Sequence, residues 1–95
     1  MAKKFYFKCV QFHPNDYKCY FKFANLLNYH FKDHINAQKF FIKAIEIDSK
    51  NALAYFNRGN TKLNMDNKAG ACEDWIKAKS FGADYADKRI KEFCK

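Results

Sequence analysis

Proline and glycine are scarce in this sequence, which has one proline and three glycines among its 95 residues. Long apolar runs are missing too, because charged residues interrupt the apolar segments far short of the about 20 residues that a membrane-spanning helix needs. The start, Met1-Ala2-Lys3-Lys4, is basic like that of a signal peptide, but no apolar stretch follows it. We therefore expect a cytoplasmic protein with no membrane partner.

The sequence also lacks the residue arrangements on which most enzyme chemistry rests. It offers no Ser-His-Asp or Cys-His arrangement, no glycine-rich phosphate loop and no pair of catalytic carboxylates. His30 and His34 are four residues apart, as are Cys9 and His13, but neither pair supplies a full tetrahedral set of metal ligands. We predict no enzyme activity, no cofactor and no metal site, and we interpret these histidines as surface residues.

Cysteine occurs four times, without a C-x-x-C pair or a zinc-like spacing, at Cys9, Cys19, Cys72 and Cys94. Cys9 and Cys72 lie in apolar-periodic segments, where a free thiol behaves as a small hydrophobic side chain. A disulfide-rich secreted fold would have more cysteine and more turns. The sequence therefore predicts reduced, buried thiols.

Aromatic residues and lysine are what the sequence has in abundance. The 11 Phe, 6 Tyr and 1 Trp, within a total of 48% hydrophobic residues, are typical of a dense core and exclude a disordered chain. The net charge is +8, yet each half of the chain carries +4 and no basic run exceeds two residues. This even spread favours a solvated cationic surface over a nucleic-acid footprint.

Apolar residues recur at intervals of three and four, which is the period of an α-helix. One such stripe comprises Tyr20, Phe23, Ala24, Leu27 and Phe31, and the next contains Phe41, Ala44 and Ile45. Residues that cap or stop helices separate the segments, as at Asp48-Ser49-Lys50-Asn51. The sequence therefore predicts an all-α fold of six short helices, at residues 2–12, 17–31, 34–47, 52–65, 68–80 and 84–94.

The helical segments repeat along the chain at an interval of 34 to 35 residues. At an offset of 35, the aligned pairs are Tyr20 with Tyr55, Ala24 with Gly59, and Asn25 with Asn60. At an offset of 34, they are Ala37 with Ala71, Phe41 with Trp75, and Ala44 with Ala78. The difference of one residue indicates an extra residue in the region of the Lys32-Asp33 turn, where insertions are tolerated.

A helix–turn–helix unit of this length, with these alanine and aromatic positions, resembles the tetratricopeptide repeat. Small residues open notches between the helices, and the rings of Phe41 and Trp75 fill them. The sequence departs from the family at Arg58 and Lys62, which stand where the family has leucine and an aromatic residue. The resemblance covers nearly the whole chain and implies a right-handed α-solenoid of stacked helical hairpins.

The resemblance also implies an organisation of residues 1–95 as one domain. Residues 2–16 would hold the second helix of an incomplete repeat, 17–51 repeat one, 52–84 repeat two, and 85–95 a capping helix. The last part of the chain looks like the C-terminal end of bacterial proteins of this family, so we expect a natural terminus there. Because helix 2–12 would lack its partner helix, we expect it either to self-associate or to continue a longer array.

In this family the first helix of each repeat lines a concave groove, so the resemblance implies a binding surface on helices 17–31 and 52–65. Its candidate residues are Lys18, Phe21, Lys22, Asn25, Tyr29, Leu53, Phe56, Asn57, Asn60 and Asn64. Amides suit a peptide backbone, lysines an acidic group or a C-terminal carboxylate, and the rings an apolar anchor.

Three functions remain open on the sequence alone. The first is a protein-interaction scaffold that binds a peptide or a helix in the groove. The alternative is a helical repeat module that binds RNA or another polyanion through its positive charge and exposed rings. The third is a structural cap with no ligand of its own.

Overall fold

The computed structural model describes residues 16–94, and these residues form α-helices joined by short turns, with no strand among them. The helices are α1 (Tyr17–Asn25), which continues as a π-helical turn (Leu26–His30), α2 (His34–Ile47), α3 (Ala52–Asn64), α4 (Lys68–Ser80) and α5 (Ala86–Phe93). The predicted all-α fold is confirmed, and these helices lie where the sequence predicts them. The predicted helix 2–12, with its proposed self-association, lies outside the described residues.

Aspartate or asparagine begins each of the first four helices. The side chains of Asp16, Asp33, Asn51 and Asn67 accept hydrogen bonds from backbone N–H groups in the first turn, at 3.0 to 3.3 Å. Each bond satisfies a donor that has no partner inside its own helix. The short polar residues between the apolar segments therefore fix where each helix starts.

The chain divides into two compact units, one ending at Ser49 and the other beginning at Lys50. In the first unit α1 packs against α2, and in the second α3 and α5 pack against α4. Both units bury the aromatic and small residues that the repeat alignment pairs. Six side chains of the second helices have no exposed surface: Ala37, Phe41, Ala44, Ala71, Trp75 and Ala78. This shared burial confirms the small–large packing pattern. The stacking of hairpins into a solenoid stays a prediction.

Trp75 is the largest buried side chain of the C-terminal unit. Its Nε1–H donates to Asn60 Oδ1 at 3.2 Å, and its ring lies 5.6 Å from the ring of Phe93 on α5. Gly59 gives this ring its space, since a Cβ there would lie 2.6 Å from Trp75 Nε1. The predicted reason for a small residue at this position is thus confirmed.

The π-helical turn accounts for the extra residue of the first repeat. Here the N–H of Phe31 donates to the carbonyl of Leu26, five residues earlier, at 3.1 Å. A π-turn holds one residue more than an α-turn, so the insertion falls at residues 26–30, just before the Lys32-Asp33 turn. The same turn ends the helical period, and Phe31, expected in the buried stripe, is 43% exposed instead.

The prediction of reduced cysteines is wrong. Cys72 and Cys94 form a disulfide, with their Cα atoms 5.7 Å apart, and Cys19 is disulfide-bonded as well. No described cysteine is a free thiol. The physical reason is the packing of α5 on α4, which brings the end of α5 beside Cys72 although the two cysteines are 22 residues apart in sequence.

Candidate functional site

The structure brings three predicted groove residues of the N-terminal unit together. Lys22, Asn25 and Tyr29 line one open hollow of about 420 Å³, with Leu26 and His30 completing its wall. Of the other two predicted residues, Lys18 is exposed but does not line the hollow. Phe21 packs against the core instead, with its ring edge-on to Phe41 at 6.0 Å.

The hollow combines a cation, a hydrogen-bond acceptor and an exposed ring. Lys22 is exposed and forms no ion pair with any described residue. Asn25 Oδ1 is buried and finds no donor within residues 16–94. Tyr29 is 47% exposed. A buried acceptor without a donor is costly. Because the protein covers this oxygen, a ligand N–H reaches it only if the Asn25 amide turns toward the hollow.

The π-helical turn positions this hollow, since three of its five lining residues belong to the turn. Asn28, in the middle of the turn, is buried, and its Oδ1 lies 2.6 Å from Nδ1 of His34, which donates to it. His30 instead has its ring edge-on to Phe31 at 4.8 Å. The two histidines therefore have separate packing roles. Within residues 16–94 no three His, Cys, Asp or Glu side chains lie close enough to share a metal ion.

The predicted residues of the C-terminal unit differ in their exposure. Leu53 and Asn64 lie at the surface of α3. Asn57 and Asn60 are buried, and the amide of Asn60 accepts the hydrogen bond from Trp75. Asn60 therefore helps to hold the core, a role that the sequence did not indicate.

Phe56, the remaining predicted residue on α3, lies at the edge of a cleft shared with α5. Its ring is edge-on to that of Tyr85, with the ring centres 4.8 Å apart. The cleft measures about 360 Å³ and is lined by Phe56, Tyr85, Lys88, Arg89 and Glu92. Tyr85 is 51% exposed, and its partial burial raises the pKa of its phenol above 10.0. Helix α5 and the residue before it thus add an aromatic ring and charged side chains to the surface beside α3.

A buried ion cluster explains the departures from the family pattern at Arg58 and Lys62. The Asp74 carboxylate accepts two hydrogen bonds from Arg58, at 2.7 and 2.8 Å, and lies 3.2 Å from Nζ of Lys62. Burial alone would lower the pKa of Arg58, but the hydrogen bonds and charge of Asp74 outweigh it, so the pKa of the guanidinium is raised. The sequence analysis missed this cluster. Its signal was the four-residue spacing of two cations on α3, facing the single buried acid of α4.

Residues 40–73 match the family model described as tetratricopeptide repeat. The matched span runs from the middle of α2, through the whole of α3, into the first half of α4. No curated protein matches the chain. No described helix has the length and apolar character that crossing a membrane would take.

Proposed function

We propose that the chain, of which residues 40–73 match the tetratricopeptide repeat family, is a non-enzymatic scaffold that binds a peptide or a helix of a partner protein. Repeats of this family generally mediate protein–protein interaction. The observation that carries the proposal is the hollow on α1 and its π-turn, where Lys22, Asn25 and Tyr29 meet. The surface residues Leu53, Phe56 and Asn64 of α3 belong to the same proposal.

The chemistry of the hollow favours an extended, acidic ligand. A backbone N–H of the peptide would donate to Asn25 Oδ1, which has no donor among the described residues. An acidic side chain or a C-terminal carboxylate would pair with Lys22, and an apolar side chain would cover Leu26 and Tyr29. Lys22, Leu26 and Tyr29 already line the hollow, and Asn25 would turn its amide toward the peptide.

A titration with matched variants tests this proposal. The probe is a short, fluorescein-labelled acidic peptide with a free C-terminal carboxylate, followed by fluorescence anisotropy at moderate salt. We expect Lys22→Glu to weaken binding about fivefold, since one exposed ion pair contributes up to about 1 kcal/mol. Lys39→Glu changes the net charge equally on the exposed surface of α2 and should leave binding unchanged.

The same titration separates the scaffold from the alternative of RNA or polyanion binding. A single-stranded RNA replaces the peptide, and the salt concentration is raised stepwise. The polyanion alternative would be favoured if the affinity for RNA falls steeply with salt and if Lys22→Glu and Lys39→Glu weaken it equally. Equal peptide affinity for wild type and Lys22→Glu would remove the hollow from the proposal.

The cytoplasmic location stays a prediction, and the disulfides bear on it directly. Glutathione keeps most cytosolic thiols reduced, whereas disulfides persist in oxidising compartments. Alkylating intact cells with a maleimide before lysis tests the location. Modification of Cys72 and Cys94 without prior reduction would support the cytoplasm, and protection until a reductant is added would support an oxidising compartment.

A further inference from the structure

The cleft between α3 and α5 offers a second surface with ligand-binding chemistry. Phe56 and Tyr85 form an edge-to-face pair, and Tyr85 keeps half of its side chain exposed. Exposed aromatic residues beside a cation are common among the residues that dominate protein–protein binding. We infer that this cleft binds an acidic peptide segment, with an apolar side chain against Phe56 and Tyr85 and a carboxylate at Lys88. The inference rests on the proposed function and places the capping helix within the binding surface.

The charges around the cleft favour an anionic group at one point. Asp87 is paired with Lys79 and Lys91, at 2.6 and 3.1 Å, so its charge is already balanced. Lys88 forms no ion pair within the described part of the chain. Lys88 is therefore the cation that a ligand carboxylate would meet first.

Arg89 and Glu92 limit what else the cleft can take. The Arg89 guanidinium lies over the rings of Trp75 and Phe93, 5.8 and 6.0 Å from their centres, which holds it against the protein. Glu92 lines the same cleft and would repel a chain of phosphates. The two rings are also perpendicular, at 86°, so they do not form a flat platform for successive bases. These features favour a peptide with a single carboxylate next to an apolar side chain over a nucleic acid.

The cleft is held in place independently of the residues that would contact the ligand. The Cys72–Cys94 disulfide ties the end of α5 to α4, and Phe93 packs on Trp75. Ala86, at the start of α5, has no exposed surface. Replacing Tyr85 or Lys88 therefore leaves α5 anchored at both ends, and far-UV circular dichroism checks that each variant keeps its helices.

The test compares binding of two peptides to three variants. The probes are a fluorescein-labelled acidic peptide with one phenylalanine and the same peptide with alanine in its place. For the phenylalanine peptide we expect about tenfold weaker binding to Tyr85→Ala and about fivefold weaker binding to Lys88→Glu. The Lys39→Glu control should bind like wild type. The alanine peptide should bind wild type weakly and lose little further affinity with Tyr85→Ala.

The outcomes separate this inference from the proposed function. Binding that survives Tyr85→Ala and Lys88→Glu but weakens with Lys22→Glu would overturn the cleft and leave the proposed function standing. Binding that is insensitive to all three substitutions would overturn both. A single-stranded RNA whose affinity depends on Tyr85 and Lys88, while neither peptide binds, would overturn the assignment of a peptide ligand.

Discussion

Substituting alanine for Gly59 sets two opposing effects against each other. In an ordinary helix interior, alanine is more stable than glycine by about 1 kcal/mol. At Gly59, however, the added Cβ would lie 2.6 Å from Nε1 and 2.7 Å from Cδ1 of Trp75, and 3.1 Å from the carbonyl oxygen of Ala71. Overpacking of this kind costs about 1 to 3 kcal/mol. If the ring moves away, its hydrogen bond to Asn60 is lost, at a further cost of about 1 kcal/mol.

We therefore expect Gly59→Ala to lower the free energy of unfolding by about 1 to 3 kcal/mol. Urea unfolding followed by the fluorescence of Trp75, the one tryptophan of the chain, measures this directly. Gly70→Ala is the matched control. Its Cβ would meet only the capping side chain of Asn67, so a lost cap and a gained helix propensity, each about 1 kcal/mol, should nearly cancel. A Gly59→Ala variant as stable as wild type, or more stable, would refute this account of the Trp75 packing.

Three further perturbations have expected outcomes that follow from the C-terminal unit. Replacing both Cys72 and Cys94 by serine should lower the free energy of unfolding by about 3 kcal/mol, because the bridge closes a loop of 22 residues. Urea titration without reductant measures this loss, and a value well under about 1 kcal/mol would contradict the prediction. Asp74→Ala should lower the free energy of unfolding by about 3 kcal/mol, because it leaves buried cations unpaired. Arg58→Ala should lower it less, because Lys62 remains paired with Asp74. The reverse order of the two losses would contradict the ion cluster. Hydrogen bonds from two lysines lower the pKa of Asp87 below 3.8, so their stabilisation is present above that pH and is lost as the pH falls through the lower, folded-state pKa. The thermal midpoint of wild type should exceed that of Asp87→Asn at neutral pH and converge with it in acid, and a constant difference would argue against the ion pairs.

The parts of the fold that depend on local sequence were predictable. The caps at Asp33 and Asn67 mark helix starts because a short polar side chain can accept a bond from the first turn. The alignment of Phe41 with Trp75 identified the buried ring of each second helix because both sit among alanines that leave room for it. These signals come from residues that are close together along the chain, so the sequence pattern is enough to reveal them.

The features that depend on the approach of distant residues were not predictable. Cys72 and Cys94 have no local motif, and only the docking of α5 on α4 brings them together. Asn60 has the same polar character whether it faces a ligand or Trp75, so its buried hydrogen bond could not be read from its residue type. Arg58 stood out in the sequence only as a departure from the family pattern, and its partner Asp74 lies on the next helix.

The candidate site was predictable in composition but not in shape. Lys22, Asn25 and Tyr29 follow from the polar face of a helix that buries its other side. The π-turn that brings them together with His30 could not be predicted. An extra residue gives the same alignment offset whether it lies in a turn or within a helix. The difference between the two alignment offsets, 35 and 34 residues, was nonetheless the sign of this turn in the sequence.

The disulfide between Cys72 and Cys94 also determines what a single cut in the backbone does to this protein. The turn that joins α4 to α5 lies inside the covalent ring that the bridge closes. A protease that cuts once in that turn would therefore yield two fragments that still migrate together on a non-reducing gel and separate only after reduction. A nick there leaves the terminal helix attached to the C-terminal unit as long as the bridge stays oxidised.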